Sequence, residues 1–311
     1  MNNSNKGRNI SITVISLLCI VIFIGYFILK PYYTHNSVTE NKNTLSTDKP
    51  KAVEIIKSEP QIKQEIPSNP KDTKPNTVVN DSNIKHNDKG IPIVMYHSIG
   101  YEKGNTARVT KEKFKEQMKY LKDNNYVTLT LSEAYDFFID NKPVPKKSIV
   151  LTFDDGYVDN FVEALPILKE FKFKATIFVI TSLVDKVPDY MNSSQLKEMQ
   201  DNGIDIESHT ENHEHLKELS YEKQVVTLQG SKDFLEKTLN KKIQYLAYPF
   251  GEYSKETLKA VSQVGYKMAI TTDGRWSDKS DGILTLDRVF ISGSANLNTF
   301  IERITNPNYK F

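Results

Sequence analysis

Ser148-Ile-Val-Leu-Thr-Phe-Asp-Asp-Gly156 sets an apolar run directly against two adjacent carboxylates and a glycine. A short stretch that is mostly β-branched or aromatic predicts a strand buried on both faces, as parallel sheets require. Two neighbouring carboxylates at its end repel each other unless a cation or a proton lies between them. A metal ion does this well: one carboxylate binds it while its neighbour addresses the water beside it. Gly156 lets the backbone turn there. An aspartate at a helix start is also a common cap, so the pair alone leaves both readings open.

Similar patterns continue outward from this stretch. Ile91-Pro-Ile-Val-Met-Tyr96 reads as a short buried strand. Thr110 is placed to cap a helix with Phe114, Met118 and Leu121 on one face, and Ser132 to cap a second helix reaching Ile139. Further strands are expected over 174–180, 204–208, 244–247, 266–271 and 284–291. Helices are expected over 158–171, from Ser193 to Gly203, and over 221–240, 255–264 and 297–304. Strands alternating with helices imply crossover units and a parallel sheet. Roughly 220 residues with about seven such units favour an α/β fold closed into a distorted (β/α) barrel.

Two further clusters also follow expected strands. Ser208-His-Thr-Glu-Asn-His213 places imidazoles at i and i+4, a spacing at which both can reach one ion. With one aspartate they form a His/His/carboxylate set that leaves positions open, as catalytic metals need. His215 follows too closely to join on the same backbone path and reads as a surface or supporting residue. Ala247-Tyr-Pro-Phe-Gly251 is a turn able to aim a backbone N–H at an oxyanion and to wall off a small acyl group.

The remaining sequence reads differently. Lys6 and Arg8 precede an uncharged run from Ile10 to Leu29, closed by Lys30. At 1.5 Å per residue that run covers roughly 30 Å, the thickness of a bilayer core. No cleavage site follows it, so residues 1–30 read as a cytoplasmic stub and signal anchor, N-terminus inside. A buried core helix is the alternative. Residues 31–89, rich in Lys, Asn, Thr, Ser and Pro, bury too little to fold and read as a disordered linker. It would span on the order of 45 Å. Residues 90–311 form the folded domain. The formal net charge of +2 gives no case for nucleic acid as a partner, and the single cysteine, Cys19, excludes an intramolecular disulfide.

Thr152-Phe-Asp-Asp-Gly156, His209-x-x-x-His213 and the Tyr248-Pro-Phe-Gly251 turn, in this order, resemble the polysaccharide deacetylases with the NodB-homology domain, carbohydrate esterase family 4. The resemblance covers roughly 92–304. Pro92-Ile-Val-Met-Tyr-His-Ser-Ile99 is similar to the branch that includes poly-N-acetylglucosamine deacetylases. It implies Asp155, His209 and His213 as metal ligands and Asp154 as general base. The Phe250 backbone N–H, where the family usually has Tyr, would serve the oxyanion. The implied ion is divalent, zinc by default, with cobalt, nickel or iron also accepted.

The chain departs from the family at two points. Ala247 stands where many members have a base-orienting arginine, and Arg288 is the candidate substitute. No histidine follows His215 to supply the usual general acid, so His97 is expected in that role. Trp276, with Tyr248 and Pro249, is expected to line the acyl pocket. The implied function is removal of N-acetyl groups from an extracellular N-acetylglucosamine polymer, peptidoglycan or poly-N-acetylglucosamine, by a single-pass cell-membrane protein with its catalytic domain outside. A catalytically silent glycan-binding protein and a metal amidase for another amide are the alternatives.

Overall fold

A computed structural model describes residues 83–310. The expected membrane anchor and nearly all of the expected linker lie outside the described residues. Among those described, no helix is long and apolar enough to cross a membrane.

In chain order the elements are β1 (Ile84–Lys85), β2 (Ile93–Tyr96), α1 (Lys111–Asp123), β3 (Val127–Leu129), α2 (Leu131–Asp140), β4 (Val144–Pro145), β5 (Ser148–Phe153), α3 (Leu165–Phe171), β6 (Thr176–Val179), α4 (Ser193–Asp201), β7 (Asp205–Ser208), α5 (Tyr221–Leu239), β8 (Tyr245–Ala247), α6 (Lys255–Val264), β9 (Met268–Ile270), β10 (Val289–Phe290) and α7 (Leu297–Thr305). Seven parallel strands form the sheet in the order β10-β2-β5-β6-β7-β8-β9, and β3 lies against the first half of β5. This is the expected α/β architecture of about seven strands, a half-barrel with its edges brought near each other. The Leu286 N–H donates to Ala269 O and the Thr271 N–H to Leu286 O, just before β10 joins β2. One segment thus touches both edges. For that reason the strand expected over 284–291 shrinks to Val289–Phe290: its first half bonds β9, and it cannot stay straight while crossing to β2.

Local chemistry explains the other boundaries. Thr110 caps α1 as expected. The cap of α2 is Thr130, not Ser132. Thr130 and Glu133 form a reciprocal capping box, which satisfies two helix-end donors at once. The helix expected over 158–171 begins at Val158 as expected and carries a π turn, Asn160–Ala164, before the regular stretch of α3. Pro166 lies in the first turn of α3 and has no N–H to give to the turn before it.

Strand alternation sorts the core into two faces. Val94 and Tyr96, Ile149, Leu151 and Phe153, Ile177 and Val179, and Leu246 and Tyr248 pack outward in the cluster that includes α1 and α3–α7. Ile93, Val150, Phe178, Ala247, Met268, Ile270 and Leu286 pack inward, in the cluster that includes α2. The inner parity is decisive for function. It carries from Ile93 to His97, from Val150 through Thr152 to Asp154, from Glu207 to His209, and from Leu286 to Arg288. At the opposite end of the strands, β1 pairs antiparallel with β4, and the Lys146 N–H donates to Asn83 O. The described chain therefore enters beside the first residue of β5.

Candidate metal centre and active site

Asp154 continues the inner face of β5, and Asp155 would point away from it if the backbone stayed extended. It does not: Asp155 has φ 72° and Gly156 φ 82°. That reversal brings both carboxylates to one side. Thr210 (φ 63°) and His213 (φ 58°) perform the same service after β7, returning His213 to the neighbourhood of His209. Non-glycine residues in this region are uncommon and strained. Several others here, Asn141, Lys172 and Asn240, merely end helices.

Asp155 Oδ1 lies 3.5 Å from His209 Nε2 and 3.5 Å from His213 Nε2. These separations are too long for good hydrogen bonds. Three ligands held tetrahedrally at about 2.1 Å from one ion would be about 3.4 Å apart. Asp155 Oδ1 is also buried and has no hydrogen-bond partner, a costly state that a cation would relieve. His209 Nδ1 donates to Ala247 O at 2.8 Å, which fixes the tautomer and leaves the Nε2 lone pair facing the cluster. These three side chains are the group of potential metal-ligand residues found among the described residues. The donor set therefore fits a divalent ion. Burial, followed by the charge of His209, pushes His213 down to about 4, so its lone pair is free at neutral pH.

Asp154 is 1 % exposed and is gripped by Arg288, itself fully buried, through two parallel 2.6 Å hydrogen bonds. Burial works to raise this carboxyl. The charge of Arg288, then that of His209, and the Arg288 hydrogen bonds outweigh burial and hold it well below the usual range. Arg288 is itself fixed: its Nε donates to Thr271 O and its Nη1 to Thr152 Oγ1. Thr152 was not anticipated as part of this network. The signal for it was a polar residue in an apolar strand, two positions before Asp154 and on the same face.

His97 ends the inner face of β2. Its Nδ1 is buried without a hydrogen-bond partner, and its ring lies close enough to both Asp154 and Asp155 to couple with them electrostatically. Phe250 sits at φ 60° in the turn Pro249–Gly251, its ring 4.5 Å from that of His213 and stacked at 3.9 Å on His215. A side chain at Gly251 would collide with Thr272, so the turn admits only glycine there. His215 bonds Glu252, as does Lys217, tying the two loops together.

Of the expected pocket residues, Pro249 lies in this turn, whereas Tyr248 and Trp276 pack elsewhere. Tyr248 is fully buried on the outer face, with its hydroxyl donating to Leu284 O. Pro249 is likewise buried. Trp276 lies beside Gly90, at the start of the stretch leading into β2 and away from His97, and its Nε1 donates to Arg303 O. It is corrected to a packing residue: after β9 the chain runs back past the strand and pairs Ser277 with Ile91.

Comparison with known proteins places this geometry in context. A family model described as polysaccharide deacetylase matches residues 141–269. The Bacillus subtilis protein YxkH, which carries a polysaccharide deacetylase name, is 39% identical over 68% of this chain and 74% of its own length. A Staphylococcus aureus poly-beta-1,6-N-acetyl-D-glucosamine N-deacetylase is 28% identical over 60% of this chain and 69% of its own. The structure of the Streptococcus pyogenes deacetylase PplD in complex with acetate superposes with a TM-score of 0.67 at 33% identity, covering 70% of this chain and 98% of that one.

Proposed function

The chain belongs to the polysaccharide deacetylase family, and from that premise we propose that it is a metal-dependent hydrolase removing N-acetyl groups from an extracellular N-acetylglucosamine polymer. The observation that carries the metal dependence is Asp155 Oδ1, buried, unpartnered and 3.5 Å from two imidazole nitrogens. A divalent ion there, zinc by default, supplies Lewis acidity to the acyl oxygen and favours ionisation of water.

The protein's own groups do the rest. Asp154 takes the proton of the attacking water, and Arg288 holds its carboxylate in one plane, ionised. As the water oxygen bonds to the acyl carbon, the backbone N–H of Phe250 is the donor for the developing oxyanion. An amide nitrogen leaves poorly unless protonated, and we assign delivery of that proton to His97. The C–N bond then breaks, yielding acetate and a free amine. Ala247 and the missing late histidine would suit a catalytically silent glycan-binding protein, but the intact Asp154, Asp155, His209 and His213 and the Arg288–Asp154 pair weigh against it.

The uncharged run 10–29 supports a single-pass cell-membrane protein with this domain outside. The S. aureus relative favours poly-N-acetylglucosamine over peptidoglycan as the polymer. The test is acetate release by the full chain from β-1,6-linked N-acetylglucosamine oligomers and from peptidoglycan, before and after chelation. Release that chelator abolishes and zinc restores is expected, and no release from either polymer would refute the proposal. His97→Ala should lower turnover by about 10²–10⁴-fold with bound metal retained; unchanged turnover removes His97 from its role.

A further inference from the structure

The catalytic turn runs on into Tyr157, a residue to which the chemistry above assigns nothing. Its ring stacks on that of Tyr190 at 4.9 Å and 24°, and the Arg108 guanidinium lies 5.7 Å from its centre. Tyr190 comes from the connection between β6 and α4, residues 180–192. Connections of this kind usually need about 2–6 residues, and longer ones tend to be functional. This one is bound to the catalytic turn by its backbone. The Ile180 N–H donates to Asp155 O, Val158 N–H to Asp189 O and Met191 N–H to Gly156 O. The tyrosine pair is thereby held in fixed relation to the carboxylates.

Beside Tyr190 opens a cavity of about 450 Å³, lined by Asp185, Lys186, Val187, Tyr190, Asn192 and Gln195 among others, with Tyr157 behind the Tyr190 ring. Both tyrosines are partly exposed. A tyrosine ring with amides, an ammonium and a carboxylate around it suits a particular chemistry. A sugar ring offers an apolar C–H face to an aromatic surface and a rim of hydroxyl and acetamido groups to polar partners. Rigid tyrosines give such contact area at little entropic cost.

We propose that Tyr190, backed by the stacked ring of Tyr157, and the cavity beside it bind an N-acetylhexosamine ring next to the one being deacetylated, on the same polymer strand. The subsite rests on the deacetylase reading, and it makes the enzyme sensitive to chain length. A single sugar in the metal centre leaves the subsite empty; an oligomer fills both.

The test measures acetate release by the full chain from N-acetylglucosamine oligomers of one to five sugars. Tyr190→Ala should lower kcat/KM about tenfold on the pentamer, mainly through KM, and much less on the single sugar. Tyr190→Phe should restore the wild-type length dependence, because the ring remains. Equal losses at every length, or none at any, would overturn the subsite. If Tyr190→Ala does not fold, Val187→Trp, which fills the cavity, replaces it and must give the same length-dependent loss. If the wild type releases acetate from no oligomer, the activity reading has failed. Equilibrium binding of the pentamer then decides the subsite alone: weaker binding by Tyr190→Ala supports it, and equal binding sinks it.

Discussion

Asp154 and Glu207 are both carboxylates on the inner face of the sheet, both 1 % exposed, and both paired with a cation. Their surroundings differ in one respect. Glu207 accepts from Lys241 Nζ at 3.0 Å and from the backbone N–H groups of Gln244 and Tyr245 at 2.9 and 2.8 Å. Lys241 is shared with Asp205. Asp154 is served by a guanidinium fork, one N–H to each oxygen. Burial wins at Glu207, which is pushed up to about 7, and loses at Asp154. A planar, permanently charged fork keeps a base ionised in a dry site. An ammonium divided between two acids does not. The first arrangement keeps the carboxylate ionised and oriented at some cost in basicity, whereas the second ties β7 to the start of β8.

The largest effect expected from this contrast is at the base itself. Asp154→Asn should lower acetate release by about 10²–10⁴-fold while metal analysis still finds the ion. His213→Ala should lose the ion. The reverse pattern would show that base and ligand roles have been exchanged.

Removing each cation sharpens the comparison. Arg288→Met strands a buried carboxylate and should cost about 3–5 kcal/mol in denaturant unfolding. Lys241→Met leaves Glu207 two backbone donors and the option of protonation, and should cost about 1–3 kcal/mol. Equal costs would mean that the two pairs are energetically alike.

The smallest effect is a slope with pH. Glu207 has its folded pKa raised, to about 7, above the ordinary carboxylate value. The native state therefore holds this proton more tightly than the unfolded chain does. The stabilisation it confers is complete below the unfolded pKa and is lost as pH rises through about 7. Urea midpoints measured between pH 4.5 and 8 should fall more steeply for wild type than for Glu207→Gln. Parallel slopes would show that Lys241 holds Glu207 in its usual range.

The sequence made some parts of this molecule plain for identifiable reasons. β5 was legible to the residue because both its faces are buried, so its run is continuously apolar. α6 was equally clear, being bounded by Ser254 and Gly265. The two carboxylates and the paired histidines stood out by spacing, and the structure brings them together. Arg288 was reachable by parity with Leu286, although the segment holding it is not the straight strand expected. What stayed hidden depended on tertiary path. Nothing local to Trp276 tells that the chain has already run back past β9. Tyr248 follows an inward residue and so must face outward, an inference available only once the inner face is known. β3 is too short to stand out, and its place is fixed by pairing with β5.

The β1–β4 pairing has a mechanical consequence. The polypeptide enters the domain at the pole where strands start, and the reactive groups sit at the pole where strands finish. A reporter group fixed at Asn83 would therefore sit the length of a central strand away from the metal ligands.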